Sequence, residues 1–429
     1  MQDVFVYQGL RTPFGKVGGA LSGQRPDDLA ALVISELVAQ APGLDPENAG
    51  EVVGEVIFGN ANGAGEENRN VARMAWLLAQ LPVSVPATTI NRLCGSSLDA
   101  AISGARQIAL GETDVILAGG VESMSRAPWV LPKTERPFPM ANLELANTTL
   151  GWRLINERMP SQWTVSLGEA TEQLRERHGI DRERQDAFAA RSHDLAARAW
   201  AQGHLSDLTV AVPGVDLDTD ETIRAGVTHE KLAGLRTVFR RENGTVTAGN
   251  ASPMNDGASA VWLGSAAGGE KLGLTPQVRI AGWAAAANEP QYFGYAPVEA
   301  SNKALKRAGI GWAEVGAVEL NEAFAAQSLA CLDAWEVDPE IVNAWGGAIA
   351  IGHPLGASGT RVLATLAKRM QLGGERWGVA TLCIGVGQGL AVVLENATTR
   401  TAAQPTQPIH AAQPIHAAQP IQTAQPTQN

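Results

Sequence analysis

Cys94 is the residue whose surroundings most favour chemistry. It lies within residues 91–101, where an apolar strand ends, small residues form a tight turn and an alanine-rich helix begins. The exposed N–H groups and the dipole at a helix start favour a thiolate and lower the pKa of a thiol. A buried core cysteine is the alternative, but the Gly95-Ser96-Ser97 sequence packs poorly and permits close ligand approach. The segment therefore indicates a cysteine nucleophile.

A histidine occupies a comparable place in the second half of the chain. His353 stands between Gly352 and Pro354 in the glycine-rich segment 346–359, just before a helix. If the two halves pack with pseudo-symmetry, His353 faces Cys94, and a Cys–His pair is a standard way to activate a thiol. The alternative is a turn histidine bonded to backbone.

Cys383 lies in residues 381–389, where a buried strand runs into a glycine-rich turn. Backbone N–H groups in such turns can line an oxyanion pocket. Two reactive cysteines that are not paired as a disulfide suggest separate duties, one as nucleophile and the other as acid and base. Taken alone, this segment equally fits a core cysteine at a strand end.

Two further polar segments fit a ligand site. Asn321 ends an apolar strand within residues 319–325, where it is either a helix N-cap or a holder of a catalytic water. Residues 245–258 contain too much Gly, Asn and Ser for a core strand and suit a loop that touches a ligand through its backbone. Cys331 lies among apolar helix residues and is interpreted as core.

The bulk composition excludes several classes of protein. A length of 429 residues predicts about two or three domains. A net charge of −11 with no basic run argues against nucleic-acid and anionic-membrane partners. Three cysteines favour a reducing cytoplasm over a disulfide framework. No apolar run reaches the ~20 residues of a membrane helix, and the N-terminus lacks signal-peptide features. We expect a cytoplasmic protein without a metal site.

The elements that must position these residues occur in two similar sets. Each set has a strand, a helix, a strand ending in Asn, an apolar strand, a glycine-rich turn, a helix ending near Leu-Gly and a further strand. The first set spans Val4 to Ala118 and the second spans Val278 to Cys383. Alternating strands and helices predict parallel or mixed sheets covered by helices. The similarity predicts a duplicated α/β fold with a site between the halves, although any α/β chain is roughly repetitive.

Four regions follow from this organisation. Residues 1–121 form the core of the first half, and residues 122–269 form an inserted loop region that ends with the rest of that half. Residues 270–396 form the second half. Residues 397–429 contain a repeated low-complexity sequence that is interpreted as disordered.

Taken together, five segments in this order resemble the thiolase family: residues 91–101, 245–258, 319–325, 346–359 and 381–389. The resemblance covers nearly all of residues 1–396, including Arg11-Thr12-Pro13-Phe14-Gly15. It implies a duplicated βαβαβαββ core of five layers, α-β-α-β-α, with an inserted loop domain, in a homodimer or homotetramer. It also implies reversible acyl transfer between coenzyme A thioesters through an acyl-cysteine, with no cofactor because coenzyme A is a substrate.

The resemblance assigns roles to individual residues. His353 accepts the thiol proton, Cys94 attacks the 3-oxo carbon, and Cys383 exchanges a proton with the acetyl-CoA carbanion. The N–H groups of Cys94 and Gly385 form one oxyanion hole, and His353 with a water held by Asn321 forms the second. Coenzyme A would contact six residues, of which Phe324 lies near the thioester: Arg224, Lys231, Leu235, Ala248, Ser252 and Phe324.

Because this sequence departs from the common family pattern at several positions, the resemblance does not identify the acyl group of the substrate. Ser166 and Leu167 stand where short-chain biosynthetic members commonly carry His and Met, and residues 293–297 also differ. Residues 65–73, 120–128 and 148–153 look like the corresponding segments of the 3-oxoadipyl-CoA thiolases of aromatic degradation. The alternatives are a general fatty-acid thiolase and an acetoacetyl-CoA thiolase.

Three other interpretations are weighed against this one. A ketoacyl-carrier-protein synthase would be expected to carry a second His in place of Cys383. A non-catalytic thiolase-like acyl-CoA or lipid-binding protein would be expected to lack one of Cys94, His353 and Cys383. An NAD-binding oxidoreductase is disfavoured because no Gly-x-Gly-x-x-Gly segment follows an early strand.

Overall fold

A computed structural model describes residues 2–399, which form twelve strands, twelve α-helices and five 3-10 helices. The strands are β1 (Phe5–Arg11), β2 (Gly15–Lys16), β3 (Glu55–Gly59), β4 (Ala87–Ile90), β5 (Val115–Ser123), β6 (Trp129–Val130), β7 (Ala146–Asn147), β8 (Asn255–Gly264), β9 (Val278–Ala287), β10 (Ala317–Leu320), β11 (Trp377–Ile384) and β12 (Gln388–Asn396). The α-helices are α1 (Pro26–Ala39), α2 (Ala49–Val52), α3 (Val71–Leu78), α4 (Ser96–Leu110), α5 (Leu167–His178), α6 (Arg182–Ala201), α7 (His229–Ala233), α8 (Ala266–Leu272), α9 (Ala296–Ala308), α10 (Ala325–Trp335), α11 (Ala348–Ile351) and α12 (Ser358–Gly373). The 3-10 helices are Ser161–Trp163, Ser206–Leu208, Pro290–Tyr295, Trp312–Glu314 and Pro339–Ile341.

The strand order shows that the two halves follow one plan. The order is β10-β11-β12-β9-β1-β8-β5-β3-β4. From the centre outward, the first half has β1, β8, β5, β3 and β4. Among these five strands, that is the first, fifth, fourth, second and third in chain order. The second half repeats this order from β9, and Val342 bridges Val318 of β10 where the third strand would lie. The duplication predicted from the sequence is therefore confirmed.

Three apolar clusters define five layers. β1 and β9 pair over only two residues each, and the two halves of the sheet face each other across α4 and α12, where Leu98 and Val362 are fully buried. α1 and α3 cover the outer face of the first half, around Trp76. α9 and α10 cover the outer face of the second half, around Trp335. Burial of apolar area on both faces of each half stabilises the predicted α-β-α-β-α arrangement.

Most of the predicted elements form, with shifted ends. The sequence pattern predicts the first helix around Leu29 to Ala39, whereas α1 begins at Pro26. Proline is favourable in the first helical turn, where its missing N–H costs nothing. Residues 341–343 leave a 3-10 turn and make a single bridge to β10. β12 does not follow from the sequence pattern alone, although the βαβαβαββ core implied by the resemblance includes it. It forms a hairpin with β11 and also pairs with β9.

The region between the halves contains the hairpin β6–β7 and the helices α5, α6 and α7. β8 follows this region and returns to the core sheet between β1 and β5. Disorder is predicted for residues 397–429. Residues 397–399 form a turn, in which the N–H of Ala397 donates to the carbonyl of Gln277 at 3.2 Å, and residues 400–429 lie outside the described residues. No helix within residues 2–399 has both the length and the apolar character needed to cross a membrane.

Candidate active site

Cys94 sits in a tight turn between β4 and α4. Leu93 has a φ of +47°, and the N–H groups of Gly95 and Ser96 close the turn onto the carbonyls of Arg92 and Leu93 at 3.0 and 3.1 Å. A Cβ on Gly95 would lie 2.4 Å from Cδ1 of Ile384, so only glycine allows this close approach to β11. The turn holds Cys94 two residues before the first residue of α4, as the sequence predicts.

Burial dominates the electrostatics of Cys94. The thiol is 7% exposed, and burial raises its pKa to about 11. Hydrogen bonding to the N–H of Gly385 and to its own N–H favours the thiolate, whereas the carboxyl group of Glu122 disfavours it. The predicted lowering of the thiol pKa is therefore wrong, because desolvation outweighs the amide groups at the helix start. A base is needed to make the thiolate.

Cys383 lies near the end of β11, two residues before Gly385. Its side chain is 1% exposed, and burial, followed by the charge of Cys94, raises its pKa well above the ordinary value. The charge of Cys331 has the same direction of effect, so Cys383 lies within electrostatic reach of both other cysteines. Phe293 and Phe324 pack around Cys383, with ring centroids 6.4 Å apart in an edge-to-face arrangement.

His353 follows α11 in a backbone conformation that requires a glycine before it. Gly352 has a φ of +113°, and a Cβ there would meet the amide of Asn255. That amide oxygen accepts the N–H of His353 at 2.9 Å. The imidazole is 4% exposed, and burial, with a smaller effect of the Arg361 charge, lowers its pKa to about 3. The ring is therefore neutral at physiological pH.

Asn321 lies beside this ring and is oriented by Arg361. Its Nδ2 atom is 3.4 Å from Nδ1 and 3.3 Å from Nε2 of His353. Its Oδ1 atom accepts a hydrogen bond from Nη2 of Arg361 at 2.9 Å, which fixes the amide with its NH₂ group toward the imidazole. The nearly equal distances place Nδ2 beside the ring rather than along one lone pair.

The segment that follows His353 packs against α4 and β5 of the first half. The N–H of Thr360 donates to Oγ of Ser97 at 3.0 Å, and the N–H of Gly356 donates to Oε2 of Glu122 at 2.9 Å. These bonds join the two halves of the chain at the site.

A small cavity that is partly open to solvent reaches Cys94. Cys94 and Gly385 lie on its wall, whereas His353, Cys383 and Asn321 do not contribute to its lining. The lining residues are Ala61, Asn62, Leu93, Cys94, Glu122, Thr148, Thr149, Leu150, Gly151, Trp152, Arg153, Leu167, Leu355 and Gly385.

Family models match the chain over almost all of its described length. The model of the thiolase N-terminal domain matches residues 4–267, and the model of the thiolase C-terminal domain matches residues 274–396. The chain belongs to the thiolase family. It is an enzyme, an acyltransferase with thiolase activity, so the resemblance inferred from its motifs is confirmed.

Individual thiolases are similar over the same region. A beta-ketoadipyl-CoA thiolase from Escherichia coli is 47% identical over 405 residues, covering 92% of this chain and 100% of the relative. A beta-ketoadipyl-CoA thiolase from Pseudomonas putida is 46% identical over 404 residues, with the same two coverages. The crystal structure of the Bacillus anthracis acetyl-CoA acetyltransferase is 36% identical with a TM-score of 0.85, covering 92% of this chain and 99% of that chain. The human mitochondrial 3-ketoacyl-CoA thiolase in complex with CoA is 35% identical with a TM-score of 0.85, covering 92% and 98%.

The six residues assigned to coenzyme A lie apart from the lining of the Cys94 cavity. In this thiolase Arg224 and Lys231 are exposed, Nζ of Lys231 donates to the carbonyl of Gly226 at 3.0 Å, and Ala248 is also exposed. Leu235 packs at the edge of the outer cluster of the second half.

Ser252 and Phe324 lie closer to the sulfurs. The N–H and hydroxyl groups of Ser252 both donate to the carbonyl of Ala323 at 3.0 Å. Ala251 bridges Phe324, which contacts the cluster around Cys383. Residues 245–254 therefore form a loop whose backbone contacts Ala323 and Phe324. Residues 255–258 are instead the start of β8, a buried strand, so the composition argument against a core strand is wrong there, because small residues fit a strand that is buried on both faces.

Sequence reasoning assigned no role to three residues that shape the site. Glu122 accepts N–H groups from Ala61 and Gly356, both at 2.9 Å, and burial raises its pKa to about 7. Ser358 contacts the ring of His353, and Arg361 orients Asn321. Glu122 lies in the segment 120–128 that was singled out for its resemblance alone, whereas a helical serine or arginine gives no local signal of such a contact.

Proposed function

We propose that this thiolase reversibly cleaves 3-oxoadipyl-CoA with coenzyme A, forming succinyl-CoA and acetyl-CoA. The chemistry is supported by the buried thiol of Cys94, whose charge acts on the buried thiol of Cys383. It is also supported by the neutral imidazole of His353, because the N–H of Gly356 in the same segment bonds to Glu122 on the wall of the Cys94 cavity. The assignment of the acyl group is supported by the names of similar proteins, which are beta-ketoadipyl-CoA thiolase and 3-oxoadipyl-CoA/3-oxo-5,6-dehydrosuberyl-CoA thiolase.

The first step is attack by Cys94. Because burial raises the pKa of its thiol to about 11, the group is protonated at neutral pH and needs a base. His353 has an unprotonated ring, and it accepts the proton as the sulfur attacks the 3-oxo carbon. The bond between carbons 2 and 3 then breaks, which leaves a succinyl group on Cys94 and the carbanion of acetyl-CoA.

Cys383 supplies the proton that the carbanion takes up. Burial and the neighbouring charge of Cys94 keep its thiol protonated, which is the form that an acid requires. In the synthetic direction the same sulfur, as a thiolate, removes the proton from acetyl-CoA. Coenzyme A then attacks the succinyl group on Cys94 and gives its thiol proton to the Cys383 thiolate. Succinyl-CoA leaves as the Cys94 sulfur takes back the proton held by His353, so all three side chains return to their starting forms.

Two groups of donors would stabilise the oxygen anions of these steps. The N–H group of Gly385 already bonds to Cys94, and together with the N–H of Cys94 it forms the first oxyanion hole. His353 and a water held by Asn321 form the second. Each such donor is worth about 3–4 kcal/mol in transition-state stabilisation.

Coenzyme A would approach from the side of the inserted region. Arg224 and Lys231 are exposed cations that would contact the phosphate end of coenzyme A, and Leu235, Ala248 and Ser252 would line the pantetheine chain. No resident cofactor or metal is part of this proposal, because the thioester itself stabilises the carbanion.

Self-association into a dimer or tetramer is part of the same proposal. The hairpin of residues 129–147 exposes large apolar side chains, including Trp129 at 69% and Phe138 at 86%. Exposed apolar groups of this size favour burial against another protein surface. Light scattering of the purified protein gives the mass of the assembly, and a monomer at all concentrations would contradict this part.

The function is tested with purified protein, coenzyme A and 3-oxoadipyl-CoA. We expect loss of the 3-oxo thioester absorbance, with succinyl-CoA and acetyl-CoA formed in equal amounts by mass spectrometry. Turnover of acetoacetyl-CoA but not of 3-oxoadipyl-CoA would contradict the acyl assignment and leave the chemistry intact. Binding without turnover of any 3-oxoacyl-CoA would favour the non-catalytic alternative.

A further inference from the structure

Arg153 is a cation on the wall of the cavity that contains Cys94. The cavity lining includes three titratable side chains: Cys94, Glu122 and Arg153. Most of the other lining side chains are apolar, among them Leu93, Trp152 and Leu355. An apolar cavity with a thiol and a guanidinium on its walls can accept a short methylene chain that carries a negative charge.

The guanidinium of Arg153 has no counter-ion within residues 2–399. Nη1 donates to the carbonyl of Thr148 at 3.4 Å, and Nη2 donates to Oδ1 of Asn62 at 3.5 Å. Both contacts are long, and both partners are neutral. Since a guanidinium has five N–H donors in a planar fork, it retains the capacity for a bidentate bond to a carboxylate.

Glu122, the acidic side chain on the same wall, is already bound to backbone groups. Its two oxygens accept N–H groups from Ala61 at 2.9 Å, Asn62 at 3.2 Å and Gly356 at 2.9 Å. These donors hold the carboxyl group of Glu122 against the backbone of both halves, and it forms no ion pair with Arg153 in the described chain. The positive charge of Arg153 is therefore left for a ligand.

We propose that Arg153 determines the acyl specificity of this thiolase by binding the distal carboxylate of a dicarboxylic acyl group. This proposal rests on the proposed function, and it names the contact that separates 3-oxoadipyl-CoA from a 3-oxoacyl-CoA that ends in a methyl group. The carboxylate at carbon 6 forms a charge-assisted bidentate bond with the guanidinium, and carbons 4 and 5 lie against the apolar wall.

A competing role for Arg153 is contact with a phosphate of coenzyme A. In that role its loss would weaken every substrate equally, because all of them carry coenzyme A. The two roles are therefore separated by comparing substrates that differ only at the distal end of the acyl chain.

The test uses 3-oxoadipyl-CoA and 3-oxohexanoyl-CoA, which have the same carbon chain and end in a carboxylate and a methyl group. In Arg153→Gln, the ratio of kcat/KM for the first substrate to that for the second should fall about 10–100-fold, the range expected for loss of a hydrogen bond to a charged group. Arg153→Lys should retain part of the ratio, since it keeps the charge but loses the fork. Arg158→Gln is the matched control, because Arg158 is exposed nearby, and its ratio should equal that of the wild type.

The outcomes separate this proposal from the function on which it rests. An unchanged ratio in Arg153→Gln, with both substrates slowed equally, overturns the specificity role and leaves 3-oxoadipyl-CoA thiolysis standing. A wild-type enzyme that prefers 3-oxohexanoyl-CoA overturns the carboxylate contact while thiolase activity remains. A wild-type enzyme that turns over neither substrate overturns the proposed function itself. Equal melting temperatures of the variants show that folding does not produce the change.

Discussion

Oγ of Ser358 lies 2.6 Å from Nδ1 of His353. The same hydroxyl donates its hydrogen to the carbonyl of Pro354 at 2.9 Å. Because a hydroxyl carries one hydrogen, Nδ1 must supply the proton of the bond between the two side chains. The neutral ring therefore has its free lone pair on Nε2, which is the form that a base requires.

Ser358→Ala should slow the reaction without preventing coenzyme A binding. The variant removes the acceptor that selects the tautomer of His353, so we expect kcat to fall about 10–100-fold with little change in the KM for coenzyme A. Ser301→Ala is the control, since the buried hydroxyl of Ser301 has no hydrogen-bond partner among residues 2–399. Equal kcat values for both variants and the wild type would show that Ser358 does not set the tautomer.

Cys94→Ala should abolish labelling of the enzyme by radioactive acetyl-CoA, because the proposed acyl-enzyme forms on that sulfur. Cys331→Ala should still be labelled, since Cys331 is fully buried in the outer cluster of the second half and its Sγ atom donates to the carbonyl of Gly294. A labelled Cys94→Ala protein would displace the proposed nucleophile.

Cys383→Ala should separate the two half-reactions. Acyl transfer between coenzyme A and acetyl-CoA needs only the first sulfur, so exchange of labelled coenzyme A into acetyl-CoA should continue. Carbon–carbon cleavage and condensation should fall by about 10²–10⁴-fold, the usual contribution of a positioned acid or base. Equal loss of exchange and cleavage would mean that Cys383 is not a dedicated acid.

Asp220→Ala should destabilise the fold strongly. The carboxylate forms two bonds to the guanidinium of Arg11 at 2.5 and 2.8 Å, and both side chains are buried. Removing one partner leaves a buried charge unpaired, which costs about 3–5 kcal/mol. Asp194→Ala removes the partner of Arg198 in an exposed pair and should cost about 0–1 kcal/mol. Denaturant unfolding measures both, and similar losses would contradict the difference in burial.

His193 should make the fold less stable in acid. Burial and the charge of Arg224 lower its pKa to about 4, whereas an unfolded histidine titrates near 6.5. Below pH 6.5 the unfolded chain gains a proton that the folded chain does not bind, so this contribution to stability is present above pH 6.5 and declines toward pH 4. His193→Asn keeps an acceptor for the N–H of Arg224, which now bonds to Nδ1.

The measurement is the difference in unfolding free energy between the wild type and His193→Asn at pH 7 and at pH 5. The wild type should lose about 2 kcal/mol more than the variant over this interval. If the unfolding free energies of the wild type and the variant change equally with pH, then His193 does not titrate differently in the folded and unfolded states.

Local sequence determined which residues could react. The turn at Cys94 and the glycine before His353 can be recognised from neighbouring residues. A tight turn, a positive φ and a helix start each depend on residues close in sequence. The repeated order of strands and helices predicts the duplication, and the resemblance to thiolases implies its five layers. Pairing between distant segments is not visible in a local pattern, so the pattern alone does not predict β12, which forms by pairing with β9 and β11.

Only the tertiary structure decided the chemical state of these residues. The pKa of Cys94 is raised rather than lowered because the folded chain buries it, and burial is a property of the whole core. The imidazole of His353 is neutral chiefly because the folded chain buries it. Arg153, from the inserted region, lies on the wall of the Cys94 cavity beside Asn62 of the first half. A pKa and an orientation arise from groups that are distant in sequence and meet only when the two halves pack, so no single segment specifies them.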